Sequence, residues 1–205
     1  FAPSPARGRP LCCGRTYLSS GMVDEARTEA ERLVAALYPL ARSGVRIVGL
    51  EPSCTLALRD EIPALLASEK AETVAEATMT LAELLAQDLP DLGLPSGRAA
   101  ATVKLHGHCH QKAFDVVKPI ETVLRDLAGA DVETIETSCC GMAGAFGYGR
   151  DTYDVSIKMA EAALLPAVRE AEPGQPVLAD GTSCRCQIAD GTGREATHLA
   201  HYLDR

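Results

Sequence analysis

The chain has 205 residues, 46% of them hydrophobic and 23% charged, and it carries a formal net charge of −8. This composition is typical of a globular protein and excludes a disordered chain. The negative charge argues against nucleic acid and anionic membrane surfaces as partners. No apolar run reaches the roughly 18 residues that a membrane span needs, and no signal peptide is visible.

Sequence patterns predict helices and a strand in the first half of the chain. Apolar residues at helical spacing indicate amphipathic helices, and a β-branched run indicates a buried parallel strand. Residues 88–98 are rich in proline, glycine and aspartate, which predicts a linker. In chain order, the predicted elements are a helix over 21–41, a strand over 45–50, and helices over about 56–66 and 71–87.

The second half alternates more regularly between strands and helices. Short apolar runs predict strands, and longer amphipathic stretches predict helices. The strands are expected over 101–105, 132–135 and 176–179, and the helices from Pro119 to about residue 129, over 153–171 and over 195–205. This alternation indicates an α/β fold with mostly parallel sheets. In such sheets, sites form outside the carboxyl ends of the strands.

One cysteine pattern occurs twice. Cys-Cys-Gly at 12–14 is followed by Cys54, and Cys-Cys-Gly at 139–141 is followed by Cys184 after nearly the same interval. A repeat at this period indicates a duplicated supersecondary unit. We therefore expect two pseudo-repeated halves, residues 1–90 and 99–205, each a small, mostly parallel sheet with flanking helices and cysteine-bearing turns at strand ends. The first half is expected to be truncated, because the counterpart of Cys109 would precede residue 1.

The eight cysteines favour metal ligation over disulfides. Disulfide-rich chains are small and loop-rich, so long amphipathic helices indicate a reduced, cytoplasmic protein. Thiolates bind zinc or iron–sulfur clusters, and the lack of a Cys-x2-Cys pair favours a cluster, with zinc as the alternative. The predicted ligands are the four cysteines that follow strands in the second half, namely Cys109, Cys139, Cys140 and Cys184. A weaker candidate set lies in the first half, namely Cys12, Cys13 and Cys54.

Histidines flank one of the predicted ligands. His106, His108 and His110 alternate, so their side chains would lie on the same side of an extended segment. One of them could donate to sulfur or contact a substrate, with His108 and His110 ahead of His106. Arg185 could stabilise negative charge on a cluster, bind a carboxylate or be solvated surface. Cys186 could be a fifth ligand or a thiol without a role.

Five motifs together resemble a known family. They are Leu-Cys-Cys-Gly at 11–14, Leu-Glu-Pro-Ser-Cys at 50–54, His-Cys-His-Gln-Lys-Ala at 108–113, Cys-Cys-Gly-Met-Ala-Gly at 139–144 with Phe-Gly-Tyr at 146–148, and Gly-Thr-Ser-Cys-Arg at 181–185 with Gln-Ile at 187–188. The combination is similar to the CCG-domain (cysteine-rich domain) family, which includes a heterodisulfide reductase component and the glycolate oxidase iron–sulfur subunit. It also resembles the C-terminal part of FAD-linked D-2-hydroxyacid dehydrogenases of the D-lactate and D-2-hydroxyglutarate type.

The resemblance implies a 4Fe-4S electron-transfer module that is not active alone. Its partners would be flavin-binding and ferredoxin-like domains or subunits of an enzyme that oxidises a 2-hydroxy acid such as D-lactate, glycolate or D-2-hydroxyglutarate, with FAD elsewhere in the full-length protein. An electron acceptor at the membrane periphery and an oligomer are compatible with it. Two alternatives stay open. One is a structural zinc module that shapes the interface with the flavin domain, and the other is catalysis at the metal, with His108, His110 and Arg185 holding a carboxylate.

Overall fold

The computed structural model describes residues 9–88 and 101–204. The chain forms two compact units, Phe1–Thr80 and Leu81–Arg205. Most of the linker predicted over 88–98 lies outside the described residues. None of the helices in the described ranges combines the length and the apolar character that crossing a membrane requires.

The first unit is built from short helices around a two-stranded parallel sheet. Helix α2 confirms the predicted amphipathic helix, and its buried face packs on α5 in the core of the unit. The elements are α1 (Arg15–Ser19), α2 (Val23–Arg42), β1 (Ile47–Gly49), α3 (Pro52–Ala57), α4 (Glu61–Leu66), α5 (Glu69–Glu76) and β2 (Thr78–Thr80).

The predicted bounds of two helices in this region were wrong. The helix predicted over 56–66 starts earlier and breaks between Ala57 and Glu61, and Pro63 in the first turn of α4 suits a helix that restarts there. The helix predicted over 71–87 is interrupted by β2, whose residues pair in register with β1. Thr78 and Thr80 are β-branched and favour a strand, and the pairing with β1 decides the outcome.

The second unit contains a three-stranded parallel sheet with strand order β4-β3-β5. The three predicted strands are confirmed, although β5 is shorter than expected. The elements are α6 (Leu81–Asp88), β3 (Thr102–Leu105), α7 (Cys109–Ala113), α8 (Lys118–Asp126), β4 (Asp131–Thr134), a 3-10 turn (Phe146–Tyr148), α9 (Tyr153–Glu161), α10 (Leu164–Arg169), β5 (Val177–Leu178), α11 (Thr182–Thr192) and α12 (Leu199–Leu203).

The long helix predicted over 153–171 is broken into α9 and α10. Pro166 is the third residue of α10. A proline in a helix interior removes a hydrogen bond and clashes with the preceding turn, whereas it is tolerated in a first turn. The chain therefore ends α9 at Glu161 and starts a new helix at Leu164. Both helices pack against the core that also contains Cys140 and Cys184.

The architecture confirms the predicted α/β class with small parallel sheets. In the second unit, β3, β4 and β5 run in the same direction, so their carboxyl ends lie along one edge of the sheet. The segments that carry Cys109, Cys139 and Cys184 all follow these ends. Helix α6 belongs to the second unit. The superposition of two repeated halves, and the repeat boundaries at residues 90 and 99, stay predictions.

Candidate metal centre

The first cysteine of the site begins a short helix directly after β3. Cys109 is the first residue of α7, and His108 caps this helix. The Nδ1 atom of His108 accepts a hydrogen bond from the amide of His110 at 3.2 Å, and the amide of His108 donates to Oε1 of Gln111 at 3.0 Å. This reciprocal capping satisfies backbone donors that the helix leaves unpaired. It therefore fixes the position of Cys109 at the strand end.

The cysteine pair lies in the loop after β4 and ends in a left-handed turn. Gly141 has φ of 85°, and its amide donates to the sulfur of Cys139 at 3.3 Å. A side chain at this position would strain the backbone. It would also place its Cβ less than 3.0 Å from the carbonyl oxygen of Ser156. Glycine is therefore required where the loop passes α9.

The last cysteine lies in the first turn of α11, after β5. Cys184 is 1% exposed. Its neighbour Ser183 accepts a hydrogen bond from the amide of Gly144 at 3.3 Å, which ties α11 to the loop of the cysteine pair. These local structures bring the three cysteine-bearing segments to one place.

Four sulfur atoms form a continuous row in the second unit. Cys109 and Cys140 each share a hydrogen bond with Cys139, and Cys140 shares another with Cys184. We call these four side chains the sulfur row. Its Cys109 end is exposed, Cys139 is partly buried, and Cys140 and Cys184 are buried. The row thus links the four cysteines that the sequence predicted as ligands. In the described residues, Cys140 and Cys184 belong to a group of donor atoms that all lie within 4.8 Å of one another, whereas Cys109 and Cys139 do not. The role of the four cysteines as ligands stays a prediction.

Protons are shared unevenly along the sulfur row. The hydrogen bond from Cys109 holds the pKa of Cys139 well below its usual range, and that from Cys140 does the same for the pKa of Cys184. Cys109 and Cys140 donate hydrogen bonds to these thiolates. The bonds hold their thiol protons in place and so raise the pKa values of Cys109 and Cys140. Four sulfur atoms this close cannot all ionise without a compensating cation. The donor set therefore fits a metal centre whose binding would release the remaining thiol protons.

A histidine that the sequence ranked last lies at the buried end of the row. Donor atoms of His106, Cys140 and Cys184 all lie within 4.8 Å of one another, and all three residues are buried. His106 follows β3 directly and is 1% exposed. Sequence reasoning placed it behind His108 and His110. The available signal was its position next to a buried strand, which puts it in the protein interior.

A lysine connects two of the cysteine-bearing segments. The Nζ atom of Lys112 in α7 donates to the carbonyl oxygen and hydroxyl of Thr137 at 2.5 and 2.7 Å, and to the carbonyl oxygen of Ser138 at 3.3 Å. Its charge acts on Cys184, Cys109 and Cys139, while partial burial lowers the pKa of Lys112 itself. Lys112 therefore holds the loop before Cys139 and places a positive charge near the sulfur row.

A buried carboxylate links α7 to α12. Asp180 accepts hydrogen bonds from Nε2 of Gln111 at 3.1 Å and from the amide of Leu199 at 3.0 Å. Gln111 in turn holds the cap at His108. Partners of this kind orient metal ligands without touching the metal.

Two other candidates play structural parts in this arrangement. The guanidinium of Arg185 donates to the carbonyl oxygens of Ala179 and Asp180, which fixes the turn between β5 and α11. The hydroxyl of Tyr148 hydrogen bonds with the sulfur of Cys186, which raises the pKa of Tyr148. Contact of Arg185, His108 or His110 with a substrate stays a prediction. Metal ligation by Cys186 also stays a prediction.

The first unit carries a smaller thiol site. The sulfur atoms of Cys13 and Cys54 lie 3.1 Å apart, and the amide of Gly14 donates to the sulfur of Cys12 at 3.4 Å. The hydrogen bond with Cys54 and the nearby Arg15 lower the pKa of Cys13 to about 6. The donor atoms of His106, Cys140 and Cys184 all lie within 4.8 Å of one another. Among the described residues, the sulfur atoms of Cys12, Cys13 and Cys54 do not meet this criterion.

A parallel α/β unit that collects thiols at its strand ends defines a cysteine-rich class of protein whose donor atoms could hold a metal. Comparison with curated proteins finds relatives among dehydrogenases and their subunits. The chain is 27% identical to one of the subunits of the anaerobic glycerol-3-phosphate dehydrogenase of Escherichia coli (strain K12) over 195 residues, which are 91% of this chain and 47% of that protein. It is 30% identical to a D-2-hydroxyglutarate dehydrogenase of Pseudomonas putida over 200 residues, which are 97% of this chain and 18% of that protein.

A third relative is lactate utilization protein A of Bacillus velezensis, which is 26% identical over 194 residues, or 88% of this chain and 74% of that protein. The chain spans about half the length of the glycerol-3-phosphate dehydrogenase subunits that it matches. These relatives are all of the CCG-domain type, so the resemblance to that family is confirmed. No family model matches the chain, and no solved structure matches it.

Proposed function

We propose that this chain is the cluster-binding, electron-transfer module of an oxidoreductase. The observation that carries the proposal is the sulfur row, because it offers four cysteine sulfur donors in the part of the fold where parallel strands end. Cys109, Cys139, Cys140 and Cys184 would hold the centre, and a 4Fe-4S cluster is the group we favour. When bound, such a cluster accepts and releases single electrons.

The protein around the sulfur row has features that suit this task. The amide of Gly141 donates to the sulfur of Cys139, and Lys112 supplies positive charge. Hydrogen bonds and charges of this kind tune the reduction potential of a centre. Cys140 and Cys184 are buried, whereas Cys109 is exposed. The exposed end would face an electron donor or acceptor, and the buried end would exclude water.

The relatives support a place in a larger dehydrogenase. Their names refer to glycerol-3-phosphate, D-2-hydroxyglutarate and lactate, and each of these compounds carries a hydroxyl group that can be oxidised. We propose a 2-hydroxy acid of the D-lactate, glycolate or D-2-hydroxyglutarate class as the substrate of the whole enzyme. Flavin-binding and ferredoxin-like domains or subunits would be the partners, FAD would bind outside this chain, and the protein would act in the cytoplasm.

A structural zinc module is the second candidate. The specific observation in its favour is the buried group of His106, Cys140 and Cys184, because zinc prefers nitrogen and sulfur ligands in a closed site. A third cysteine from the sulfur row would complete four-coordinate geometry. Cys12, Cys13 and Cys54 are a further set that could bind metal in the first unit.

Anaerobic purification followed by analysis of iron, zinc and acid-labile sulfide tests the proposal. We expect a brown chain with iron and sulfide that bleaches on reduction. A colourless chain that holds zinc after exposure to iron and sulfide would favour the structural module instead. The chain alone should not oxidise D-lactate, glycolate or D-2-hydroxyglutarate. Turnover without an added flavoprotein would contradict the proposal that the flavin binds outside this chain.

A further inference from the structure

One buried polar atom next to the sulfur row has no hydrogen bond of acceptable geometry in the described residues. This atom is Nε2 of His106, which is fully buried, and the His106 ring interacts with the sulfur of Cys184. An unsatisfied buried nitrogen destabilises the folded state, and such atoms are rare in folded proteins. Donor atoms of His106 and of the thiols of Cys140 and Cys184 lie within 4.8 Å of one another. The nitrogen is therefore placed where a bound cation would satisfy it.

The other ring nitrogen of His106 is held by Thr137. Nδ1 of His106 and the hydroxyl oxygen of Thr137 lie 3.1 Å apart, and Lys112 donates to the same oxygen at 2.7 Å. That oxygen has two lone pairs, so it can accept one hydrogen bond from Lys112 and one from Nδ1–H of His106. A neutral imidazole carries one ring proton. With that proton at Nδ1, Nε2 presents a lone pair.

We propose that Nε2 of His106 is a nitrogen ligand of the metal centre at Cys140 and Cys184. The centre would then have mixed sulfur and nitrogen coordination, which iron and zinc both accept. At a single metal ion, His106 would bind beside Cys140 and Cys184. At a 4Fe-4S cluster, which takes one terminal ligand per iron, it would replace one of the four cysteines. This inference rests on the proposed function, because it assumes that the sulfur row binds metal. Thr137 and Lys112 act as positioning residues, since they fix the tautomer that leaves Nε2 available.

His106 is distinguished from the histidine that sequence reasoning preferred. Nδ1 of His108 already accepts from the amide of His110 and caps α7. The ring of His108 packs beside Gly181, where an added Cβ would lie 2.6 Å from its Cδ2 atom. His108 thus contributes to the wall of the site, whereas His106 directs a nitrogen at the thiols.

Cobalt(II) added to the reduced, metal-free chain tests the assignment. Paramagnetic proton NMR detects a ring N–H of a ligating histidine as a strongly shifted signal that is lost in D2O. We expect one such signal, assigned to Nδ1–H and split in a sample labelled with 15N-histidine. The label identifies it without any substitution, so a variant that fails to fold does not prevent the test.

Variants make the assignment specific. His106→Leu should remove the signal, and the matched control His110→Leu should keep it. Thr137→Val should keep the signal but speed its exchange with D2O, and should weaken cobalt binding by about 10-fold, as expected when a supporting partner is lost. A structural role of Thr137 alone would not change the exchange rate of this proton.

The role of His106 and the proposed function of the chain can be overturned separately. A chain that takes up iron and sulfide but shows no shifted histidine signal with cobalt, or keeps the signal in His106→Leu, overturns the role of His106 and leaves the proposed function intact. A chain that binds neither cobalt nor iron and sulfide overturns both.

Discussion

The amide of Gly141 donates a hydrogen bond to the sulfur of Cys139 at 3.3 Å. Gly14 makes the same bond to Cys12 at 3.4 Å in the first unit. The two glycines share left-handed backbone conformations, with φ of 85° and 76°. The Cys-Cys-Gly sequence therefore builds the same turn in both units, in which an amide already points at a cysteine sulfur. Such a donor would stabilise thiolate charge before and after metal binds.

Replacing Gly141 by alanine should destabilise the protein strongly. The left-handed backbone and the clash with Ser156 together should lower the free energy of unfolding by about 2–5 kcal/mol. Gly144→Ala is the matched control, because Gly144 has φ of 66° but has no atoms within 4 Å of an added Cβ. Its cost should be about 1–2 kcal/mol. Urea denaturation measures both values, and equal costs would show that the contact with α9 is unimportant.

Substitutions along the sulfur row should separate ligands from bystanders. Cys139→Ser or Cys184→Ser should remove most of the bound metal, because each takes one donor out of the row. Cys186→Ser should retain it, because Cys186 hydrogen bonds with Tyr148. Metal content per chain after anaerobic loading is the measurement. Full retention in Cys184→Ser would rule out the assigned ligand set.

Cys13 should react with iodoacetamide at unusually low pH in the metal-free chain. Its pKa is lowered to about 6 by the hydrogen bond with Cys54, so the reactive thiolate forms as pH rises through about 6. Alkylation of Cys13, followed by peptide mass spectrometry, should reach half its maximal rate near that pH.

The partner of Cys13 provides the control for this reaction. Cys54→Ala removes the hydrogen-bond donor and should move the midpoint toward the ordinary thiol range, whereas Cys54→Ser keeps a donor and should move it less. An unchanged midpoint in Cys54→Ala would show that Cys54 does not activate Cys13.

The sequence allowed the main features of the fold and of the sulfur row to be predicted. Short apolar runs predict parallel strands, and the carboxyl ends of parallel strands meet at one edge. The burial predicted for the strand over 45–50 was wrong, because β1 is shorter and only partly buried. Cys109, Cys139, Cys140 and Cys184 could therefore be grouped without coordinates. Strand β2 could not be foreseen, because Thr78–Thr80 is a three-residue segment within a helical pattern and forms only by pairing with β1.

The residues that support the row were harder to predict. His106 lies next to Thr137 and close to Cys140 and Cys184, and sequence spacing does not describe these contacts. The sequence analysis named Lys112 only as part of the motif over 108–113, whereas the structure shows that it donates to Thr137 and Ser138. Contacts between distant segments decide these roles, and single-sequence patterns carry little information about them.

Lys112 should set both the affinity and the potential of the centre. Lys112→Met removes the bonds that hold the loop before Cys139, so metal affinity should fall by about 10- to 100-fold. The lost positive charge should also lower the midpoint potential, because reduction adds negative charge to the centre. Lys112→Arg keeps the charge and should shift the potential less.

Lys118→Met is the matched control for Lys112→Met. Lys118 forms an exposed ion pair with Asp115 at 3.0 Å, and such pairs contribute only about 0–1 kcal/mol. It should leave both metal affinity and potential unchanged. Anaerobic redox titration of the loaded chain, followed by electron paramagnetic resonance, gives the potential, and competition with a chelator gives the affinity. If Lys112→Met had the same metal affinity and the same midpoint potential as the unsubstituted chain, neither proposed role of Lys112 would stand.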